Sequence, residues 1–105
     1  MKLWIDDIRE APEGYVWCKS TSEAIYCIIR SLLPDHNGIA FSPIELIDID
    51  HDAGEYAKDG GDYIKLLDWM EENGYTPSAI HIHSMNPVGV QNMRRIIQKN
   101  GWKEI

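Results

Sequence analysis

Short apolar runs and amphipathic stretches alternate along this chain. Leu3-Trp4-Ile5, Leu46-Ile47-Asp48-Ile49 and Ala79-Ile80-His81-Ile82 are compact apolar runs of the kind that form buried strands. Residues 15–19 follow the breakers Pro12 and Gly14 and read as a further strand, too close to the first for a helix to fit between. Ser20-Thr21-Ser22-Glu23 is a capping box, a hydroxyl at the cap and Glu three residues on. Behind it Ile25, Ile28, Ile29, Leu32 and Leu33 recur at helical spacing, which predicts a helix with one buried face. Residues 34–38, from Pro34 to Gly38, end it.

The next strand spans residues 44–49, and a long, charged, glycine-containing loop follows over 51–61. Loops of that length in compact domains often carry function. A helix over 62–73 places Ile64, Leu67 and Met70 inward and stops at Gly74. After a strand over 78–83, Asn86 is a good N-cap and Pro87 a good first helical residue. The third helix turns Val90, Met93, Ile96 and Ile97 inward and ends at Asn100-Gly101, and residues 102–105 suit a last edge strand. Strands alternating with helices predict a mostly parallel sheet of four or five strands with helices on both faces, a three-layer α/β sandwich. With 105 residues there is room for one domain, residues 1–105, and too little for two.

In such sheets ligands bind outside the carboxyl ends of the strands. All three apolar runs end there in chemistry-bearing residues: Asp6-Asp7, then Asp50-His51-Asp52, then His83-Ser84-Met85-Asn86. Four carboxylates brought together repel one another, and a divalent cation, a basic side chain or shared protons relieve this. Oxygen donors suit Mg²⁺, Mn²⁺ or Ca²⁺. Arg9 and Lys19 are the nearby basic candidates. Each Asp taken singly is explained as a loop cap; the clusters together are not. His51 and His83, beside acids at strand exits, suit proton transfer or phosphate binding. His81 shares a face with His83 one layer deeper and reads as a hydrogen-bonded core residue. Ser84 and Asn86 precede a helix N-terminus, a place suited to anions. Trp17 and Trp69 fit packed positions, Arg94-Arg95 a solvated helix face, and Tyr56 in the long loop is the aromatic available for stacking on a base.

Composition narrows the partners. A net charge of −7 argues against binding duplex nucleic acid through its phosphates, without excluding a small phosphorylated ligand in a local site. The 44% of hydrophobic residues suffices for a real core. Cys18 and Cys27 lie in regular apolar segments and read as reduced, packed thiols in a cytoplasmic protein. No signal peptide is visible after Met1, no apolar run approaches the roughly 20 residues of a membrane span, and no motif names a protein partner.

Asp-Asp after the first strand, a strand-terminal Asp and a later Ser resemble a response-regulator receiver domain of flavodoxin-like fold. The combination of Leu3-Trp4-Ile5-Asp6-Asp7-Ile8-Arg9 with Pro12, Asp50-His51-Asp52, and His83-Ser84-Met85-Asn86-Pro87 with Gly89, Asn92 and Met93 resembles the cyclic-phosphate processing receiver family more closely. Relative to ordinary receivers, the first and last helices are missing. Lys103 lies near the start of the final segment, not at a strand exit where receivers use a Lys. His51 and His83 are additional. The resemblance implies a site for a phosphoester, a cyclic-phosphate nucleotide or an RNA end. In it Asp6, Asp7, Asp50 and Asp52 are candidates for a divalent metal, Mg or Mn, with Asp50 preferred over Asp52 as the central acid. Asp50, His51 and His83 are the candidate catalytic residues, and Arg9, Ser84 and Asn86 the candidate phosphate ligands. A metal-dependent phosphoesterase, a non-catalytic nucleotide-binding or interaction module, and a phosphoacceptor receiver are the competing functions.

Overall fold

The computed structural model describes residues 1–33 and 42–105. Its elements run β1 (Lys2–Ile5), β2 (Tyr15–Cys18), α1 (Thr21–Leu32), β3 (Leu46–Ile49), a 3₁₀ turn (Gly54–Lys58), α2 (Ile64–Glu72), β4 (Ile80–Ile82) and α3 (Pro87–Asn100). The expected helix stop over residues 34–38 lies outside the described residues. The four strands form one parallel sheet in the order β2-β1-β3-β4. A single parallel bridge between Ile80 and Glu104 extends it at the β4 edge, so residues 102–105 make a bridge and no full strand.

The strands alternate as a period of two demands. Leu3 and Ile5 of β1, Ile47 and Ile49 of β3, and Ile80 of β4 are fully buried in one core with Ala24 and Ile28 of α1, Leu66, Leu67 and Met70 of α2, and Met93 and Ile97 of α3. The connections β2-α1-β3 and β3-α2-β4 cross the sheet in the same direction. Right-handed crossovers therefore place both helices on the same face. α1 packs on α2, and α2 on α3. Among the described residues the three helices form one layer on the face that buries this core, and the opposite face carries no helix. The opposite face carries Trp4 in register with Trp17 and Asp48, and Asp48 in register with His81. The loop between β1 and β2 folds over part of it, where Trp4 Nε1 donates to Arg9 O at 2.8 Å and Trp17 Nε1 to Asp6 O at 2.7 Å.

The helix ends obey their local signals. Ser20 accepts from Glu23 N at 3.0 Å, Asn86 accepts from Gly89 N at 3.0 Å, and Gly101 closes α3 in the left-handed region at φ 67. The buried stripe of α1 differs from expectation. Thr21, Ala24 and Ile28 face the core and Ile25 is partly buried, while Ile29, Leu32 and Leu33 are exposed. A helix of twelve residues is roughly 18 Å long and overhangs strands of four residues, roughly 13 Å, so its last turn passes beyond the sheet. In α2, Leu66 takes the buried place expected of Ile64, which is only partly covered.

Candidate functional site

The parallel ladder continues one residue past the strands. Asp6 N donates to Cys18 O (3.2 Å), Asp50 N to Ile5 O (2.9 Å) and His83 N to Ile49 O (3.0 Å), which brings the three exits together at one level. One carboxylate oxygen from each of Asp6, Asp7 and Asp50 lies within 4.8 Å of the others. Three oxygen donors so placed suit a hard divalent cation.

Asp6 is almost fully buried, 1% exposed. Its Oδ1 accepts from Ile8 N at 2.9 Å and Arg9 N at 2.8 Å, fixing the turn that follows β1. Burial opposes its charge, but those amides and His83 outweigh it and hold the carboxyl below its ordinary range. Asp7 moves the other way. Burial first, and then the charges of Asp6, Asp50 and Asp52, push its carboxyl up. That repulsion is what a bound cation would relieve, so the donor set fits a divalent ion. Gly54 makes the arrangement possible: its φ is +55, and a Cβ there would run into the Asp7 carboxylate.

Asp52 stands outside this group. Its Oδ1 meets His51 Nδ1 at 2.8 Å, and its side chain is largely in water. Asp50 Oδ1 accepts from His51 N at 2.8 Å. The His51 ring rests against the first turn of α3 at Gly89, and Asn86 Nδ2 lies 3.5 Å from its Nδ1. Among the described residues, His51 Nε2 has no hydrogen-bond partner. Ser84 Oγ accepts from Asn86 N at 3.1 Å, which leaves its own proton to donate. Arg9 Nε sits 3.8 Å from Asp6 Oδ2 with its side chain half exposed.

His83 is placed differently from His51. Its Nδ1 lies 2.7 Å from Asp48 Oδ1 and its Nε2 3.0 Å from Asp6 Oδ2. The ring stacks on Trp4, centroids 3.9 Å apart and planes 3° apart, with 8% of the side chain exposed. Both nitrogens are therefore engaged beneath the acid cluster. Burial disfavours its charge, but the two carboxylates prevail and raise its pKa. His81 corrects the expectation of a core residue: it is hydrogen-bonded to Asp48 at 2.9 Å but 46% exposed, because its face of the sheet carries no helix.

Sequence reasoning passed over Asp48 and Tyr63. Asp48 is buried between His81 and His83, which hold its carboxyl low against the opposing effect of burial. The two-residue spacings Asp48–Asp50 and His81–His83 were the available signal. Tyr63 is fully buried behind the acids and donates to Lys19 O at 2.7 Å; burial, with Asp7, Asp6 and Asp50, pushes its hydroxyl pKa up. Its N–H donates to His51 O at 3.0 Å and so ties the long segment back to the site.

The family model for the cyclic-phosphate processing receiver domain matches residues 1–99. The chain belongs to that family. No curated protein and no solved structure gave a significant match. In this receiver domain the exits of β1 and β3 form the acid cluster, and the exit of β4 sets His83 against Asp6. Lys103 contributes its carbonyl to Ile80 N at 2.8 Å, at the start of β4 and so at the opposite end of the strand from the site. Among the described residues, no helix is long and apolar enough to cross a membrane.

Proposed function

We propose that this receiver domain is a metal-dependent phosphoesterase acting on a cyclic-phosphate nucleotide or RNA end. The observation that carries the reading is the convergence of Asp6, Asp7 and Asp50 within 4.8 Å, beside His51 and the first turn of α3. Those three carboxylates would hold Mg²⁺ or Mn²⁺, which supplies Lewis-acid charge to a phosphoryl oxygen. Asp52 fixes the His51 tautomer through Nδ1, leaving Nε2 to accept a proton. Water attacks phosphorus and gives that proton to Nε2. The ring P–O bond breaks, and the departing ribose oxygen takes the proton back. The Ser84 hydroxyl, Arg9 and the α3 dipole hold the phosphate, and Asn86 orients that turn. His83 acts as the cation beneath Asp6 that keeps its carboxylate in place. Hydrogen-bonded thiols at Cys18 and Cys27, 3.7 Å apart, support a cytoplasmic setting.

The test is incubation with 2′,3′-cyclic nucleotides and Mg²⁺ or Mn²⁺. Ring opening that is lost in Asp50→Asn and His51→Ala is the expected result. Binding without turnover would make the domain a receptor. A mass increase from an acid-labile aspartyl phosphate, after treatment with a small phosphodonor, would make it a phosphoacceptor.

A further inference from the structure

The segment after β3 builds a feature that the phosphoester chemistry leaves unused. A cavity of about 300 Å³ opens beside the acid cluster, lined by Asp7, Ile8, Gly54, Glu55 and Tyr56. That volume is at the small end of small-molecule sites. Two large apolar side chains reach it from separate loops, Ile8 at 81% exposed and Tyr56 at 36%. Tyr56 is held by the 3₁₀ turn: its N–H donates to Ala53 O, and its carbonyl accepts from Asp59 N, both at 2.9 Å. Gly54 leaves bare backbone in the wall between them. Asp7 belongs both to the cavity and to the acid triad. A ligand with its phosphate at the triad therefore carries its next group into this cavity.

We propose that the cavity is the nucleobase subsite of the phosphoester site and that it selects guanine, stacked on Tyr56 against Ile8 and read by Glu55. The inference rests on the phosphoesterase reading for the position of the phosphate. Unpaired bases are recognised by stacking on aromatic rings and by hydrogen bonds along their Watson–Crick edges. The charged side chains of the lining are the carboxylates of Glu55 and Asp7, which only accept when ionised. Guanine alone among the four bases offers a carboxylate two adjacent donors on that edge. Adenine and cytosine set a ring acceptor beside their amino group, and uracil flanks its single N–H with carbonyl oxygens. An acidic wall repels those acceptors.

The full chain is titrated by calorimetry with the four 2′,3′-cyclic nucleoside monophosphates in Mg²⁺, and the nucleotides are checked intact by chromatography. Where they are turned over, the ratio of kcat/KM makes the same comparison. The guanosine nucleotide is expected to bind about 10-fold or more tightly than the uridine one. Tyr56→Ala weakens it by about 10-fold, and Glu55→Gln removes the preference, weakening the guanosine nucleotide and relieving the repulsion of the uridine one. Equal affinities that still depend on Asp50 overturn the base subsite and leave the phosphoesterase reading standing. A guanosine preference untouched by Glu55→Gln and Tyr56→Ala also overturns the subsite. No interaction with any of the four nucleotides overturns both.

Discussion

Asp48 Oδ1 accepts from His83 Nδ1 at 2.7 Å, and this contact joins the helix-free face of the sheet to the acid cluster. On its other side the same imidazole meets Asp6 at 3.0 Å, so a single ring couples two buried carboxylates. Removing one partner of a buried ion pair leaves uncompensated charge and costs about 3 kcal/mol or more. His83→Gln is expected to destabilise the metal-free protein by about that amount in urea unfolding.

The pH dependence of that difference has a definite sign. The folded-state pKa of His83 is raised, so its contribution is complete below the unfolded value of about 6.5 and is lost as pH rises through the folded value. Asp48 is lowered, so its contribution holds above about 3.9 and is lost as pH falls through the folded value. The gap between wild type and His83→Gln, measured with chelator present, should therefore shrink as pH rises above about 6.5 and through the raised folded value. A gap that stays constant or widens would mean that the ring is neutral.

Gly54 and Gly74 separate backbone strain from cation binding. Both have positive φ, +55 and +68, but only at Gly54 does a Cβ meet Asp7; at Gly74 nothing lies within 4 Å. Ala at either position should cost about 1–2 kcal/mol for the left-handed conformation. Gly54→Ala should in addition weaken Mn²⁺ binding by about 10-fold or more, as loss of support around a metal ligand does. Gly74→Ala should leave it unchanged. Equal Mn²⁺ affinities in the two variants would remove Asp7 from the ligand set.

The site was more legible in the sequence than the layering. Asp6, Asp7 and Asp50 end apolar runs, and a parallel sheet has to bring such ends together, so their meeting follows from pattern. The helix-free face was harder to see. Trp4 and Trp17 look like core residues, yet here they share a face with Asp48 and His81 and are covered by the loop after β1. The direction of successive crossovers decides that layer, and strand order is not written in local periodicity. The same gap hid Asp48, which reads as part of an apolar strand until its register with His81 is known. Ile29 and Leu32 fit the helical repeat of α1 but lie where the helix has run past its strands.

Cys18 and Cys27 are predicted to react very differently. Their sulfurs are 3.7 Å apart, Cys18 is buried and Cys27 half-buried. The contact with Cys18 pulls the Cys27 thiol down to about 7 against the opposing effect of burial. The contact with Cys27, followed by burial, pushes Cys18 up. Since the thiolate is the nucleophile, iodoacetamide should label Cys27 first, with a rate that falls as pH drops through about 7. Cys18 should label only on unfolding. Peptide mass mapping after a short pulse checks this, and early label on Cys18 would contradict it.

Gly89 gives a test of the His51 position in which propensity and contact oppose each other. Gly89 is buried in the first turn of α3, and replacing Gly by Ala within a helix is worth about 1 kcal/mol on propensity alone. A Cβ at Gly89 would, however, come within 2.6 Å of His51 Cδ2 and 2.8 Å of His51 Nδ1. Either the ring or the first turn of α3 has to move. Since α3 is anchored by Met93 and Ile97 in the core, the ring should yield and break its 2.8 Å contact with Asp52. Gly89→Ala is therefore expected to forfeit the stability gain, shift the His51 ring resonances and lower kcat with little change in Mn²⁺ affinity. The last point sets it apart from Gly54→Ala, which should lose the ion first. A stability gain of about 1 kcal/mol with unmoved His51 resonances would show that the ring does not pack on Gly89.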